Sequence, residues 1–330
     1  MNLLRMLYYL FATLIVASFI SCPKPADDID ELTFDLINWI KISDLAVKEF
    51  DRDEDGNLYA VSYHGILYHS TIDGAAWTSL GSTPTSCSHF AISAGGDFFA
   101  TNDTEGILRS TDGGDSWTLA NNGLPTTRFK CLEANSMSSL FAISSGQRGN
   151  DDSLFLSTNN GDSWIWTGMC DDDLKPLAIN PQDVLFVDQQ FNWPMRSVDN
   201  GVTWTEVGTG LTNRGFNAFA FNSEGTVFGG TAAPNGGVFR SYDLGDQWEV
   251  TALSFGNTTD SVIVSLAVNS HNILFAATID AGIFYSADDG DTWIHDTFFS
   301  NWVYDFTFNS DNYVFAATVS GLYRSSDPVL

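Results

Sequence analysis

The chain has 330 residues, of which 14 are basic and 41 acidic, for a formal net charge of −27. A field of that sign repels nucleic acid and anionic headgroups over a Debye length, so the composition argues against a nucleic-acid partner and makes solubility the plain reading of the acids. Besides Cys22 there are Cys87, Cys131 and Cys170, an odd set without a CxxC pair, which indicates neither a disulfide framework nor a zinc site.

In chain order, the first segment reads as export machinery. Arg5 supplies a weak positive region, and Leu7 to Ile20 form an apolar core short for a bilayer span. Phe19-Ile-Ser-Cys22 then resembles a lipobox, in which the cysteine is acylated and becomes the first residue of the mature chain. The expectation is a lipoprotein signal peptide over 1–21, lipidation at Cys22 and an acidic tether over 22–31 carrying Asp27, Asp28, Asp30 and Glu31. That acidic cluster looks like the export tag of surface-displayed bacterial lipoproteins, so placement at the outer membrane or cell surface is expected, with membrane contact only through the anchor.

From residue 32 the chain is rich in short β runs. An extended run, Leu32-Thr-Phe-Asp-Leu36, precedes a pattern that ends seven times in S-x-D-x-G-x-x-W or a worn copy of it. The copies begin at Ser70, Ser110, Ser157, Ser197, Ser241, Ser286 and Ser325, roughly 39 to 47 residues apart, a period that marks a propeller or solenoid. Each unit has an inner run such as Val264-Ser-Leu-Ala-Val, a second run such as Leu274-Phe-Ala-Ala-Thr, a third such as Gly282-Ile-Phe-Tyr-Ser, and a last run leaving the tryptophan. Four strands per unit follow. Alanines in the second runs suit blades that taper toward an axis.

Within Ser110-Thr-Asp112-Gly-Gly114-Asp-Ser-Trp117, the Ser and Asp side chains can bond the backbone of a tight turn between third and fourth strands. Gly114 can take positive φ, and Trp117 can bury its ring beneath the turn. Ser197/Asp199/Gly201/Trp204, Ser241/Asp243/Gly245/Trp248 and Ser286/Asp288/Gly290/Trp293 repeat it in full; Asn159 and Ile72 replace the acid in two others. This pattern resembles the Asp-box, or bacterial neuraminidase repeat, of sialidase-like propellers. The resemblance covers residues 32–330 and implies an all-β, seven-bladed propeller with four-stranded antiparallel blades. The seventh copy stops at Leu330, so the run from Leu32 is expected to complete the C-terminal blade, with Asp44 set under Asp305.

In such propellers ligands bind on the face shaped by the loops from outer to next inner strand and from second to third strand. The rule collects Trp39, His89, Asp103, Arg128, Lys130, Arg148, Trp193, Arg214, Trp302, Tyr304 and Asp305. Trp39, Trp193 and Trp302 lie outside the boxes and could stack on a sugar ring or a partner side chain. Arg109, Arg196, Arg240 and Arg324 each precede a box serine and belong to the repeat. Arg128, Arg148 and Arg214 remain; sialidases hold a substrate carboxylate with three arginines, but their Phe/Tyr-Arg-Ile-Pro signature is absent here. Xyloglucanase-like enzymes pair two propellers around a cleft, whereas this chain has one ring, leaving Asp172 or Asp305 as the acids of an alternative glycosidase reading. Asp51-Arg-Asp53-Glu-Asp55-Gly56 opens like a calcium loop, yet Tyr59 and Ser62 stand where ligands would follow, so an Asp-Gly hairpin competes with it. Pattern is closest to single-ring scaffolds of the photosystem II assembly factor type. The resulting expectation is a monomeric, non-catalytic module binding a protein or glycan, without cofactor unless calcium occupies that loop.

Overall fold

The computed structural model describes residues 36–53, 55–70, 74–80, 87–146, 151–189, 192–212, 215–231, 236–254, 262–279, 281–299 and 302–330, all within the compact unit Leu36–Leu330. The segments expected as signal peptide and tether, with Cys22, lie outside them, as do Arg148 and Arg214.

These residues form seven four-stranded antiparallel sheets. Blade 1 spans 47–79, blade 2 87–119, blade 3 129–171, blade 4 174–206, blade 5 216–254 and blade 6 263–296; blade 7 joins 303–325 to the strand Trp39–Ser43. Each inner strand touches the inner strand of the next blade, and that of blade 7 returns to blade 1, so the ring is closed. Every inner strand carries a register shift just after its first residue, as between Val47 and Glu49 or Val303 and Asp305. The bulge repeats around the ring and re-aims the residues at the channel mouth.

The second strands are the core. Phe99, Phe141, Phe186, Phe228, Phe275 and Phe315 occupy one register position in six blades and are all 0% exposed. On four of these rings, those of Phe99, Phe141, Phe186 and Phe315, lies the box glycine of the following blade. A Cβ on Gly161 would stand 2.5 Å from Phe99 Cε1, and its φ of 83° is one a side chain rarely adopts, which is why the box needs glycine there.

The turns form as the spacing predicts. Ser110 Oγ donates to Asp112 Oδ1 (2.7 Å) and accepts from Gly114 N (2.9 Å); Asp112 Oδ1 accepts from Ser116 N (2.9 Å), and Trp117 Nε1 donates to Gly114 O (3.1 Å). Equivalent bonds join Ser197 to Asp199, Ser241 to Asp243 and Ser286 to Asp288. The same three serines accept from Gly201 N (2.9 Å), Gly245 N (2.7 Å) and Gly290 N (2.8 Å), and all three glycines take positive φ. The Ser116 hydroxyl, with the backbone and Ser110, holds the Asp112 carboxyl down at about 2.

The box tryptophans divide into two kinds, which corrects the expectation that each ring is buried beneath its own turn. Trp204 Nε1 donates to Gly201 O (3.2 Å) and Trp293 Nε1 to Gly290 O (3.0 Å), like Trp117, and these three rings are only half-buried. Trp164 and Trp248 instead donate to the outer edge of the preceding blade, at Ala120 O (2.8 Å) and Val207 O (2.7 Å), and are buried. Gly245 therefore keeps its bond to Ser241 while its tryptophan bonds elsewhere. Reaching across the joint between blades is what removes the second pair of rings from water.

Three of the four arginines that precede a box latch the next blade; the fourth, Arg324, lies over Tyr313 of its own blade. Arg109 reaches Asp162 of blade 3, Arg196 reaches Asp246 of blade 5 and Arg240 reaches Asp291 of blade 6.

A second repeated device sits in the hairpins between first and second strands. Asn135, Asn180, Asn222, Asn269 and Asn309 each accept backbone N–H groups two and four residues on, as in Met137 N (3.1 Å) and Ser139 N (2.9 Å) to Asn135 Oδ1. Asp53 and Ser93 take the same place in blades 1 and 2. The amide ends then staple blade to blade: Asn135 Nδ2 donates to Asn200 Oδ1 (2.9 Å), and Asn222 Nδ2 to Asp289 Oδ1 (3.0 Å).

Ring closure by an N-terminal strand is as expected, but the strand begins at Trp39, seven residues beyond Leu32. Residues 32–35 lie outside the described set, and Leu36 is exposed and precedes the strand. Pairing explains the offset. Trp39 stands opposite Ser325 as Trp77 stands opposite Ser70, so Trp39 is the tryptophan that the seventh box lacks. Its Nε1 donates to Asp296 Oδ2 (2.9 Å) on blade 6 and its ring meets Phe299 edge-on, so it joins Trp164 and Trp248 in reaching the preceding blade. With that register Glu49, not Asp44, corresponds to Asp305.

Candidate functional site

The loop face opposite the box turns carries a cleft of about 460 Å³ between blades 1, 2 and 3, lined by Lys48, Glu49, His89, Asp103, Arg128 and Lys130 among others. His89 Nδ1 lies 3.2 Å from Glu49 Oε2 across the joint between blades 1 and 2. Lys48 Nζ donates to Cys87 O (3.2 Å), and Lys130 is held between Asp152 and Asp173. These floor charges are therefore satisfied within the protein. The Arg128 side chain stands exposed on the loop leading into blade 3. A second hollow of about 350 Å³, lined by Pro125, Thr126, Ser144, Gly146, Asp151 and Phe155, shares Ser145 with the first, so the two abut along the blade 2–3 boundary.

On the same face at blades 7 and 1, three rings cluster. Tyr63 and Tyr304 meet edge-on at 5.0 Å, and Trp302 lies 6.0 Å from Tyr304. Trp302 and Tyr63 are 42% and 47% exposed, enough to offer a ring face to a partner.

The structure thus brings His89 with Arg128, and Trp302 with Tyr304, onto one face, while the other expected residues part from them. Trp39 is buried in the closing strand and does not reach the face. Trp193 is half-buried against Gly208, where a Cβ would stand 2.5 Å from its Cγ. Asp305 points into the central channel, where Oδ2 accepts from Phe50 N (2.9 Å) and Oδ1 from Phe306 N (2.9 Å). Glu49, Asp51 and Glu133 act on one another and on Asp305 there. Enclosure by the inner strands pushes the Asp51 and Asp305 carboxyls up to about 7, and Glu133 well above the ordinary range.

Asp51, Asp53 and Asp55 do not converge. Asp51 Oδ2 accepts from Ile92 N (3.0 Å) on blade 2, whereas Asp53 Oδ2 accepts from Asn57 Nδ2 (2.9 Å) and Tyr59 OH (3.2 Å) within its hairpin. Among the described residues no three His, Cys, Asp or Glu side chains gather as metal ligands.

Lys48, Glu49 and Tyr63 were not singled out by spacing. The signal was available in the repeat itself: Lys48, Lys130 and Tyr304 each follow the first residue of an inner strand, at the bulge.

No family of known sequences matches the chain, and no curated protein does. Solved structures do match. A structure of YCF48 bound to D1 peptide is 15% identical over 91% of this chain and 97% of that one, with a TM-score of 0.70. The extracellular domain of the one-component system BT4673 of B. thetaiotaomicron is 16% identical over 88% of this chain and 40% of that one (TM-score 0.68). The GH74 xyloglucanase of Xanthomonas campestris is 16% identical over 87% and 53% (TM-score 0.68). A peptide-bound protein, an extracellular domain and a xyloglucanase share little chemistry; what this chain holds in common with all three is the fold.

Proposed function

We propose that the chain is a lipid-anchored Asp-box propeller of the cell envelope that binds a protein or glycan on the face carrying the cleft and the ring cluster, and that it catalyses nothing. The observation that carries this is the company on one face of exposed Trp302 and Tyr63 with the exposed Arg128 guanidinium, in a chain whose other tryptophans largely serve its turns. Peptide binding in the YCF48 structure and the extracellular setting of the BT4673 domain support the class of role and its location.

The test is quantitative capture of envelope proteins, with a glycan array, by wild type and by Trp302→Ala, Tyr63→Ala and Arg128→Ala. Retention of a specific partner reduced about tenfold or more in at least one variant is expected. Unchanged retention in all three removes the face from the binding role, and turnover of a sialoside or xyloglucan oligosaccharide removes the non-catalytic reading. Cys22→Ala should release the protein from the membrane fraction.

A further inference from the structure

With 41 acids against 14 bases, a free guanidinium is unexpected, because a carboxylate partner is easily supplied and the bidentate pair is strong. Among the described side chains, every lysine and arginine head group has a partner except that of Arg128. Lys41 and Lys48, Arg52 and Arg109, Lys130, Arg196 and Arg240 bond carboxylates or carbonyls, and Arg324 lies over Tyr313. Nor is Arg128 on a loose loop: its N–H bonds Thr126 Oγ1 (3.2 Å) and its carbonyl accepts from Ser145 N (2.9 Å).

Asp103 lines the same cleft from the loop between second and third strands of blade 2. That loop is ordered by Asn102 Oδ1, which accepts from Thr104 N (2.8 Å) and Glu105 N (3.2 Å). The two loops are tied together, since the Thr127 hydroxyl donates to Asp103 O (2.9 Å). Arg128 and Asp103 line the same cleft of about 460 Å³ and are both exposed, yet the guanidinium and the carboxylate pair neither with each other nor with another described residue. Two opposite charges thus stand on joined loops without an ion pair between them, above a floor whose own charges are already satisfied.

The geometry points to a site for a small zwitterion of the α-amino-acid class, its carboxylate on the Arg128 guanidinium and its ammonium on the Asp103 carboxylate. Two free charges that sum to zero suit a neutral zwitterion better than an anion, and the cleft falls in the size range of small-molecule pockets. The proposal shares a face with the macromolecular role and does not depend on it.

Titration calorimetry on the full chain tests it, with glycine, L-glutamine and L-phenylalanine as probes and with propionate and propylamine as the two halves. Saturable binding of at least one amino acid is expected, with each half about tenfold weaker or worse, and with Arg128→Gln and Asp103→Asn each lowering affinity about tenfold or more. Circular dichroism of both variants confirms that they are folded. Absence of amino-acid binding, equal affinity for propionate, or insensitivity to Asp103→Asn overturns the proposal. Partner capture by the Trp302 and Tyr63 variants is read separately, so either idea can fail alone.

Discussion

Replacing Leu244 with asparagine should make the protein more stable. Leu244 occupies the place in the blade 5 box that Asn200 and Asp289 hold in blades 4 and 6, where they receive the hairpin amides of Asn135 and Asn222. Here the corresponding amide, Asn180 Nδ2, is buried without a partner. Leu244 also sits at φ 57°, in the left-handed region that asparagine tolerates and leucine resists. Satisfying a buried donor is worth about 1–3 kcal/mol, and relief of the backbone up to about 1 kcal/mol more. Against this, Leu244 packs partly on the Phe186 and Phe219 cluster, and its loss there costs about 1–1.5 kcal/mol. The net gain is about 1–2 kcal/mol, which for a domain of this size raises Tm by roughly 2–3 °C. Calorimetry of Leu244→Asn alone and in an Asn180→Ser background isolates the staple, because serine keeps an acceptor for the hairpin, as Ser93 does in blade 2, but removes the amide. Most of the gain should vanish in that background. A variant no more stable than wild type, or one equally stabilised with and without the amide, refutes the argument.

Trp39→Ala should lose about 3–5 kcal/mol in urea unfolding, more than an exposed outer-strand change, since Trp39 is buried on the strand that closes blade 7 and bonds Asp296; a loss below about 1 kcal/mol would mean the ring does not need it. Asp51 and Asp305 are held near 7 when folded and return to the ordinary carboxylate range when unfolded, so the folded ring keeps extra protons between those limits. Their contribution is full below the unfolded range and is lost as pH rises through 7; the protein should be more heat-stable at pH 5 than at pH 8 by on the order of 2 kcal/mol, a difference that shrinks in Asp305→Asn. Asp53→Asn copies the residue of five sister hairpins and should leave Tm within about 1 °C with calcium or with chelator. A calcium-dependent rise in Tm that this variant abolishes would establish the ion site instead.

The blades were legible because each box needs the same residues for the same reasons: an acceptor pair, a glycine under a neighbouring ring and a tryptophan. Where each tryptophan sends its Nε1 was not legible, since Trp204 and Trp248 stand at one spacing from their serines and differ only in what the preceding blade offers. The closing strand was legible as a need but not as a position. Its box is divided between Ser325 and Trp39, so the linear pattern shows half a motif at each end and neither half aligns alone. The hairpin staples went unread although Asn-Ser recurs at 135, 222, 269 and 309, because asparagine followed by serine is ordinary loop composition until a ring places successive copies side by side. At the face, Arg128 and Trp302 stood out as residues left over from the repeat. Glu49 and Tyr63 did not, because setting Asp44 under Asp305 puts blade 1 out of register with its sisters. Asp305 looked like a loop acid for the same reason, and the bulge turned it inward.

Pairing the first strand of the ring with the last has a consequence for biosynthesis. Trp39 emerges from the ribosome among the earliest residues of the ring and finds its seat only after the last strand has been made, so the final sheet cannot form co-translationally with the others. Until then blade 6 and the nascent blade 7 present open borders. A chain interrupted before Gly321–Ser325 would be held in that unclasped state, with strand edges open to pairing.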